Sequence, residues 1–259
     1  MSDYDDGDVP MDLGAMFPEP PRPKTPPATV TTYERESSSD NDWDKINIRL
    51  VGDHPLWGHY LWNAARAFAT YLDRHEVMYR GHNVLELGAG GGLPGLVTAL
   101  NGARRVVLTD YPDAPLTDNL NLNAKQNLSQ SDLARVSVRG YIWGTPVTPL
   151  LEELPTDAPS FDLIILSDLI FNHSQHDALL KTCEQCLTKA FADFTPSVLV
   201  FYSHHRPHLA HRDNEFFEKA RARGWKCEEV LTKKFPPMFP EDPGAEEVRS
   251  TVHGWRLTQ

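Results

Sequence analysis

The sequence predicts an α/β protein with a Rossmann-like, seven-stranded and mostly parallel sheet, helices on both faces and an antiparallel hairpin at one edge. Two observations lead to this fold class. Short runs at 84–87, 106–110 and 161–168 are almost wholly apolar and alternate with helical stretches, as strands covered on both faces of a parallel sheet do. The first run breaks into a glycine-rich turn ahead of a helix, which is the arrangement of a nucleotide-type pocket.

Length and charge narrow the class of protein. The chain has 259 residues and a formal net charge of −11, which suits one domain with a tail and disfavours binding to a phosphate backbone. No apolar run reaches the roughly 18 residues of a membrane span, and the start of the chain lacks an apolar signal segment. Three cysteines do not make a secreted disulfide framework. We expect a cytoplasmic protein, and a monomer because no apolar stripe is left over for assembly.

The N-terminal segment 1–43 is acidic and proline-rich. Five aspartates fall within the first twelve residues, and seven of the 21 prolines lie at 10–27. Prolines remove backbone donors, and few apolar groups are present to offset the entropy of ordering. The segment is therefore expected to be largely disordered or to lie as an extended strap, and the sequence leaves both open. Residues 44–259 are expected to form the folded domain.

The folded part begins with an alternating strand at 46–51. An aromatic-dense stretch at 54–62 then leads into a helix that runs to about residue 73. Trp57 precedes the apolar stripe of this helix, so it either packs against the core or lies flat beside a cofactor. Further strands are predicted at 136–138 and 197–202, helices at 93–100, 116–128, 175–192 and 215–223, and an antiparallel edge pair at 227–231 and 252–257.

The glycine turn and the acid that ends the next strand predict an adenosyl-type ligand. Glycines from Gly88 to Gly92 allow backbone angles that a Cβ would obstruct, and they let a ligand touch the main chain. Asp110 ends the second apolar strand, 22 residues after Gly88. In dinucleotide-type pockets an acid at this tip accepts hydrogen bonds from the ribose hydroxyls.

Three further places carry candidate residues. Trp143 follows the third strand, where it would flank an adenine or anchor its own loop. Asp168 ends the fourth strand on the side of the pocket. Cys183 and Cys186 have C-x-x-C spacing, but zinc requires about four ligands and no second pair exists, so packing inside a helix is favoured. The adjacent histidines at 204–205 point in different directions, so no metal is expected.

Charge favours S-adenosylmethionine over a dinucleotide. The nicotinamide pattern G-x-G-x-x-G would need a glycine where Leu93 stands. Glu86 lies inside the strand, two residues before the first glycine, where its charge would repel a dinucleotide phosphate. S-adenosylmethionine has no phosphate and carries a sulfonium and an ammonium group, so an acidic pocket suits it.

Two motifs resemble a known family. Residues 49–63 read R-L-V-G-x-H-P-L-W-G-H-Y-L-W-N and residues 167–173 read S-D-L-I-F-N-H. They resemble fungal seven-β-strand protein lysine methyltransferases, first named nicotinamide N-methyltransferases and later assigned to the N-terminal amine and a lysine of translation elongation factor 1-alpha. The resemblance covers about 50–256 and the segment 18–27, and it implies that activity and that protein partner, with methylation of nicotinamide as the alternative. Carried over position by position, it implies cofactor contacts from Trp57, Gly88, Ala89, Gly90, Asp110, Trp143 and Ser167.

The catalytic prediction rests on the acid after the fourth strand. Lysine methyltransferases of this class often carry D-x-x-Y there, whereas residues 168–171 read D-L-I-F. Any role of the tyrosine hydroxyl therefore does not transfer to Phe171. We expect Asp168 to orient the acceptor amine and to receive or relay its proton, with Phe171 as an apolar wall. The alternative is that Asp168 only caps the following helix.

Overall fold

The computed structural model describes residues 26–36, 43–52, 59–190 and 194–259. Its first two strands form a separate antiparallel hairpin, β1 (Thr29–Glu34) with β2 (Lys45–Leu50). The remaining strands form one sheet: β3 (Asn83–Leu87), β4 (Arg105–Asp110), β5 (Val136–Gly140), β6 (Leu163–Ser167), β7 (Ser197–Ser203), β8 (Lys226–Lys234) and β9 (Thr251–Thr258).

Helices connect these strands and cover both faces of the sheet. In chain order they are α1 (Asn63–Arg74), α2 (Leu93–Leu100), α3 (Ala114–Asn127), α4 (Gln130–Leu133), α5 (Thr148–Leu151), α6 (His176–Cys186), α7 (Ala210–Ala222) and α8 (Glu246–Ser250). Short 3₁₀ turns lie at Glu76–Met78, His173–Gln175 and Pro207–Leu209. Among the helices of the described ranges, none is long and apolar enough to span a membrane.

The order of strands in the sheet is β5-β4-β3-β6-β7-β9-β8. The five strands from β5 to β7 are parallel, and β9 runs antiparallel to both of its neighbours. The chain leaves β3 toward one edge through β4 and β5, and then returns to the other side of β3 with β6. Open parallel sheets bind ligands at such a switch point, beyond the carboxyl ends of the strands.

Alternate residues of the central strands enter two separate cores. On β6, Leu163 and Ile165 pack on the face of α1 and α2, while Ile164 and Leu166 pack on the face of α6 and α7. All four side chains are fully buried. An unbroken apolar run is therefore what a strand in this position requires, since neither of its faces meets water.

Asparagines of α3 pair with the outer edge of β2. Asn123 accepts a hydrogen bond from the Arg49 main-chain N–H (2.9 Å) and donates to the Arg49 carbonyl (2.9 Å) and the Gly91 carbonyl (2.9 Å). A side-chain amide carries the same donor and acceptor as a peptide group, so it can replace a neighbouring strand. Asn119 and Asn127, one turn away on either side, also bond to β2. The hairpin is thereby fastened to the helix beside the glycine loop.

The predicted fold class is confirmed, including the antiparallel pair β8–β9 at one edge. The predicted helix at 175–192 is shorter, because α6 ends at Cys186. Strand β1 was not predicted, since it lies inside the segment 1–43 that the sequence analysis assigned to a disordered or strap-like chain. Its residues include Thr29, Val30, Thr31 and Thr32, β-branched side chains that favour strands. The division of the chain at residue 43 stays a prediction.

Candidate active site

The glycine loop after β3 lies at the switch point of the sheet. Gly88 and Gly90 have φ values of +60° and +55°, a region that side chains other than glycine rarely adopt. Leu169 and Trp143 crowd Gly88, and a Cβ built there would lie 2.7 Å from Leu169 Cδ2. A Cβ at Gly90 would meet no atom within 4 Å. The main chain at Gly90 is thus open to a ligand, whereas a side chain at position 88 would have no room.

Asp110 and the glycine loop meet, as the sequence predicted. The Gly90 main-chain N–H donates to Asp110 Oδ2 (2.7 Å), and the Tyr111 N–H donates to Asp110 Oδ1 (2.7 Å). These two bonds fix the plane of the carboxylate at the end of β4. Each carboxylate oxygen can accept more than one hydrogen bond, so the fixed group can also receive ligand hydroxyls.

The predicted site residues surround one cavity of about 570 Å³. This volume falls within the range of roughly 300–1,000 Å³ for small-molecule sites. Tyr111, Ile142 and Phe171 are large exposed hydrophobic side chains that line it, and Asn172, Gln175 and Arg206 add polar groups to the same lining. Trp57 lies outside the described residues. The other predicted residues all line the cavity: Gly88, Ala89, Gly90, Asp110, Trp143, Ser167, Asp168 and Phe171.

Glu86 is buried, and it does not act as the charged group that the sequence suggested. The side chain is fully buried beneath α2, where its Oε2 accepts the Gly95 N–H (2.9 Å). Burial, with a smaller contribution from Asp110, raises the pKa of Glu86 to about 8. The group is therefore mostly protonated at neutral pH and does not line the cavity. The prediction that its charge repels a dinucleotide phosphate is therefore wrong. The assignment of the cofactor does not depend on Glu86.

Asp168 occupies a strained and buried position directly after β6. Its φ is +61°, the one positive value outside glycine in the described ranges. The side chain is 4% exposed, and its Oδ1 accepts hydrogen bonds from His205 Nε2 (2.9 Å) and the Ser203 N–H (3.3 Å). Its Oδ2 is buried and has no hydrogen-bond partner among the described residues. Such an orphan acceptor costs roughly 1–3 kcal/mol, and strain of this kind concentrates at functional sites.

The structure does not support a helix-capping role for Asp168. Neither the 3₁₀ turn His173–Gln175 nor α6 donates a main-chain N–H to a capping side chain at its start. The carboxylate instead bonds to the segment after β7. That segment follows the neighbouring parallel strand, and its place beside Asp168 results from the shared carboxyl-end edge of the sheet.

A second cavity of about 180 Å³ adjoins the first and shares Trp62, Phe171 and Arg206 with it. Asp213 of α7 lies in its wall and accepts hydrogen bonds from His173 Nε2 (2.6 Å) and His204 Nδ1 (2.7 Å). In the sequence, the adjacent pair 204–205 raises only the hypothesis of a metal ligand. The position of these histidines after a strand adjacent to β6 is the signal that would have placed them at the site.

The two histidines do point apart, since His204 bonds to Asp213 and His205 to Asp168. Cys183 and Cys186 are buried in the core, and burial raises the pKa of both thiols. Both cysteines therefore pack as small apolar side chains. In the described parts of the chain, no group of three or more histidine, cysteine or acidic side chains is arranged to hold a metal ion.

Solved structures share this fold. The chain superposes with a TM-score of 0.57 on a candidate SAM-dependent methyltransferase from Streptococcus mutans, at 14% identity over 83% of this chain and 53% of that one. It superposes with a TM-score of 0.54 on the YcgJ protein of Bacillus subtilis, at 12% identity over 74% of this chain and 98% of that one. At such identities the likeness shows the fold alone. The fold is that of S-adenosylmethionine-dependent methyltransferases.

Residues 42–223 match the lysine methyltransferase family, and the chain belongs to that family. Relatives named "protein N-terminal and lysine N-methyltransferase EFM7" are similar over nearly the whole chain. A protein of Cryptococcus neoformans is 46% identical over 94% of this chain and 87% of its own length. One from Schizosaccharomyces pombe is 44% identical over 94% of both chains. One from Candida glabrata is 44% identical over 95% of this chain and 96% of its own.

The family confirms that the protein is an S-adenosylmethionine-dependent N-methyltransferase, as the sequence predicted. The cavity fits this cofactor, because open main chain at Gly90 and a fixed carboxylate at Asp110 stand side by side in it. Asp110 would hold the ribose hydroxyls, and the half-buried ring of Trp143 would lie against the adenine. These individual roles remain predictions, as does the role of Ser167 at the end of β6.

Proposed function

We propose that this protein methylates the N-terminal amine and an adjacent lysine of translation elongation factor 1-alpha. The observation that carries the proposal is the identity of 44–46% over at least 94% of the chain with fungal relatives named for N-terminal and lysine methylation. The elongation factor itself enters through the resemblance of residues 49–63 and 167–173 to the family described above. Because this substrate is a translation factor, we propose the cytoplasm as the place of the reaction.

The two target amines differ in how much help they need. Methyl transfer requires an uncharged amine, since the nitrogen lone pair attacks the methyl group. Deprotonating a lysine with a pKa of about 10.4 at pH 7.4 costs about 4 kcal/mol, at 1.36 kcal/mol per pH unit. An N-terminal amine with a pKa of about 7.7–8.0 costs less than about 1 kcal/mol on the same scale. One pocket can therefore act on both amines only if it helps to remove or redirect a proton.

Asp168 is the residue we assign to that task. Asp168 lines the cavity that also holds Asp110 and Gly90, and its Oδ2 is a buried acceptor with no partner among the described residues. An amine that donates a hydrogen bond to this oxygen would satisfy it and would be oriented by it. Phe171 is 39% exposed on the same wall and supplies an apolar surface beside the amine. S-adenosylmethionine, when bound, supplies a methyl group made electrophilic by the adjacent sulfonium.

Labelling of a defined substrate tests the proposal. The protein is incubated with labelled S-adenosylmethionine and recombinant elongation factor 1-alpha that has a free N-terminus, and the labelled peptides are mapped by mass spectrometry. Matched substrates carry an acetylated N-terminus or arginine in place of the adjacent lysine. We expect label at both amines in the unmodified factor, and at one amine only in each matched substrate.

A parallel reaction contains nicotinamide in place of the protein substrate. Label on nicotinamide and none on the elongation factor would overturn the proposal in favour of a small-molecule enzyme. Label on another protein of a cell extract, with the elongation factor unlabelled, would keep the protein methyltransferase and remove this partner.

A further inference from the structure

His205 touches Asp168 and lies where the two cavities meet. Its Nε2 is 2.9 Å from Asp168 Oδ1, and because a carboxylate can only accept, Nε2 must carry the hydrogen. The ring meets Trp62 edge-on with centroids 4.6 Å apart and Phe171 with centroids 5.9 Å apart. These contacts hold the imidazole between two aromatic side chains that line both cavities. The ring is therefore fixed in place, and Asp168 is fixed by it.

The bond to His205 makes the two carboxylate oxygens of Asp168 differ in their hydrogen bonding. Oδ1 accepts from His205 and from the Ser203 N–H, while Oδ2 accepts from no described residue. Without the imidazole, the carboxylate could rotate, and either oxygen could accept the Ser203 N–H. With the imidazole in place, Oδ1 is held and Oδ2 is left to accept a hydrogen bond from another donor.

We propose that His205 is a positioning residue for the methyl acceptor, holding Asp168 Oδ1 so that Oδ2 receives the substrate amine and setting, by its own protonation, the charge that the amine meets. The inference rests on the proposed function, because it takes an amine as the group that meets Asp168. When His205 is neutral, the pair has a net charge of −1 and attracts a cationic amine. When His205 is protonated, the pair is neutral and that attraction is lost.

The charged surroundings raise the pH at which this switch operates. Burial of the ring by itself favours the neutral form, but the Asp168 carboxylate outweighs it and raises the pKa of His205 above its ordinary value of 6.5. Asp213 acts in the same direction and Arg206 against it. Binding of a cationic amine should therefore weaken as the pH falls through this raised pKa. The charged and titratable groups that line the cavity around His205 are His173, Arg206, Asp213, Asp242 and Arg249.

Two variants separate the hydrogen bond from the titration. His205→Gln offers an amide N–H at a similar reach but does not titrate, and His205→Ala removes the donor. His208→Gln changes an exposed histidine three residues away and is the matched control. KM and kcat for an N-terminal peptide of elongation factor 1-alpha are measured between pH 6 and 9 at saturating S-adenosylmethionine. The ratio of each variant to wild type cancels the titration of the peptide itself.

We expect the wild-type KM to rise toward low pH relative to that of His205→Gln, whose kcat stays within about threefold. At the alkaline end of the range, where more of the wild-type imidazole is neutral, His205→Ala should raise KM at least tenfold because the carboxylate is no longer held. His208→Gln should match wild type at every pH. A wild-type pH profile in His205→Gln, or a wild-type KM in His205→Ala at the alkaline end, would overturn the proposal.

Calorimetry separates this proposal from the proposed function. The same peptide is titrated into each variant in the presence of S-adenosylhomocysteine. A peptide that binds with the expected dependence on pH and on residue 205, but is not methylated, sinks the proposed function and keeps the role of His205. A peptide that is methylated, but whose binding does not depend on pH or on residue 205, keeps the proposed function and rules out the role of His205. No binding of the peptide to the wild type at any pH would sink both.

Discussion

Replacing Asp110 with alanine is expected to weaken binding of the cofactor strongly. The carboxylate is 9% exposed, and two main-chain N–H groups, from Gly90 and Tyr111, hold it at 2.7 Å each. A ligand that binds in the adjacent cavity therefore meets a charged acceptor that is already oriented. Hydrogen bonds to a charged group contribute about 1.5–3 kcal/mol. Their loss should raise the Kd for S-adenosylhomocysteine roughly 10- to 140-fold.

The assay must distinguish a lost ligand contact from a loosened loop, because Asp110→Ala also leaves the Gly90 N–H without this acceptor. Calorimetry with 5′-methylthioadenosine and its 2′-deoxy and 3′-deoxy counterparts makes the distinction. If Asp110 holds the ribose, removal of a hydroxyl weakens binding to the wild type but has little further effect on the variant. If the loop alone is affected, each hydroxyl has the same effect on both proteins.

Asp118→Ala is the matched control, since it removes the same charge from an exposed position on α3. Thermal melting of each variant shows whether it is folded. Wild-type affinity for S-adenosylhomocysteine in folded Asp110→Ala would refute the reasoning, since it would place the ribose elsewhere.

Three further perturbations test the acceptor side, the buried acid and the hairpin. Asp168→Ala should lower turnover at least tenfold, while the Kd for S-adenosylhomocysteine changes only a few-fold. Asp168→Asn should have the same effect, because asparagine tolerates the same φ of +61°. Unchanged turnover in both variants would remove the carboxylate from the mechanism. Burial raises the pKa of Glu86 to about 8 from 4.5, so the folded protein keeps a proton that the unfolded chain releases, and stability from this group falls as the pH rises from about 5 to 8. Glu86→Gln should remove this fall, which is of order 5 kcal/mol for a shift from 4.5 to about 8 at 1.36 kcal/mol per unit. Urea unfolding should therefore show the stability of the variant, relative to wild type, increasing with pH. A difference that is constant with pH contradicts the assignment. Asn123→Ala should lower the free energy of unfolding by about 2–4 kcal/mol, since it breaks three hydrogen bonds of a buried side chain. Asn121→Ala on the exposed side of α3 should cost less than about 1 kcal/mol, and equal effects of the two would argue against pairing between α3 and β2.

The meeting of Asp110 with the glycine loop could be predicted from the sequence because its signals are local. The glycines lie directly after a strand, and Asp110 lies at the end of the next one, so the rule that carboxyl ends of parallel strands share an edge brings them together. The 2.7 Å bond from the Gly90 N–H to Asp110 Oδ2 is the geometry expected from that rule.

Other features depended on burial and on distant contacts that no local pattern shows. The charge of Glu86 was misjudged because its protonation depends on complete burial under α2, which appears only in the folded chain. Strand β1 was missed because its partner β2 begins ten or more residues further on and because prolines dominate the segment before it. Asn123 appeared only as part of an asparagine-rich helix, and its role depends on a strand 74 residues earlier.

The side chains that we assign to the acceptor amine are placed by the same sheet geometry as those predicted to contact the cofactor, but they follow a different pair of strands. Asp168 follows β6 and His205 follows β7, and these strands are parallel neighbours, so their carboxyl ends deliver both side chains to one edge. Gly88, Ala89, Gly90 and Asp110, which are predicted to contact the cofactor, follow β3 and end β4 on the other side of the switch point, while Ser167 ends β6 at the boundary itself. Each reacting partner would therefore be held mainly by its own pair of strands, and the boundary between β3 and β6 is where the methyl group would cross. A change at His205 should then affect the amine and leave the cofactor affinity unchanged, while a change at Asp110 should do the opposite. Measuring both Kd values in both variants tests this division, and a shared loss in either one would contradict it.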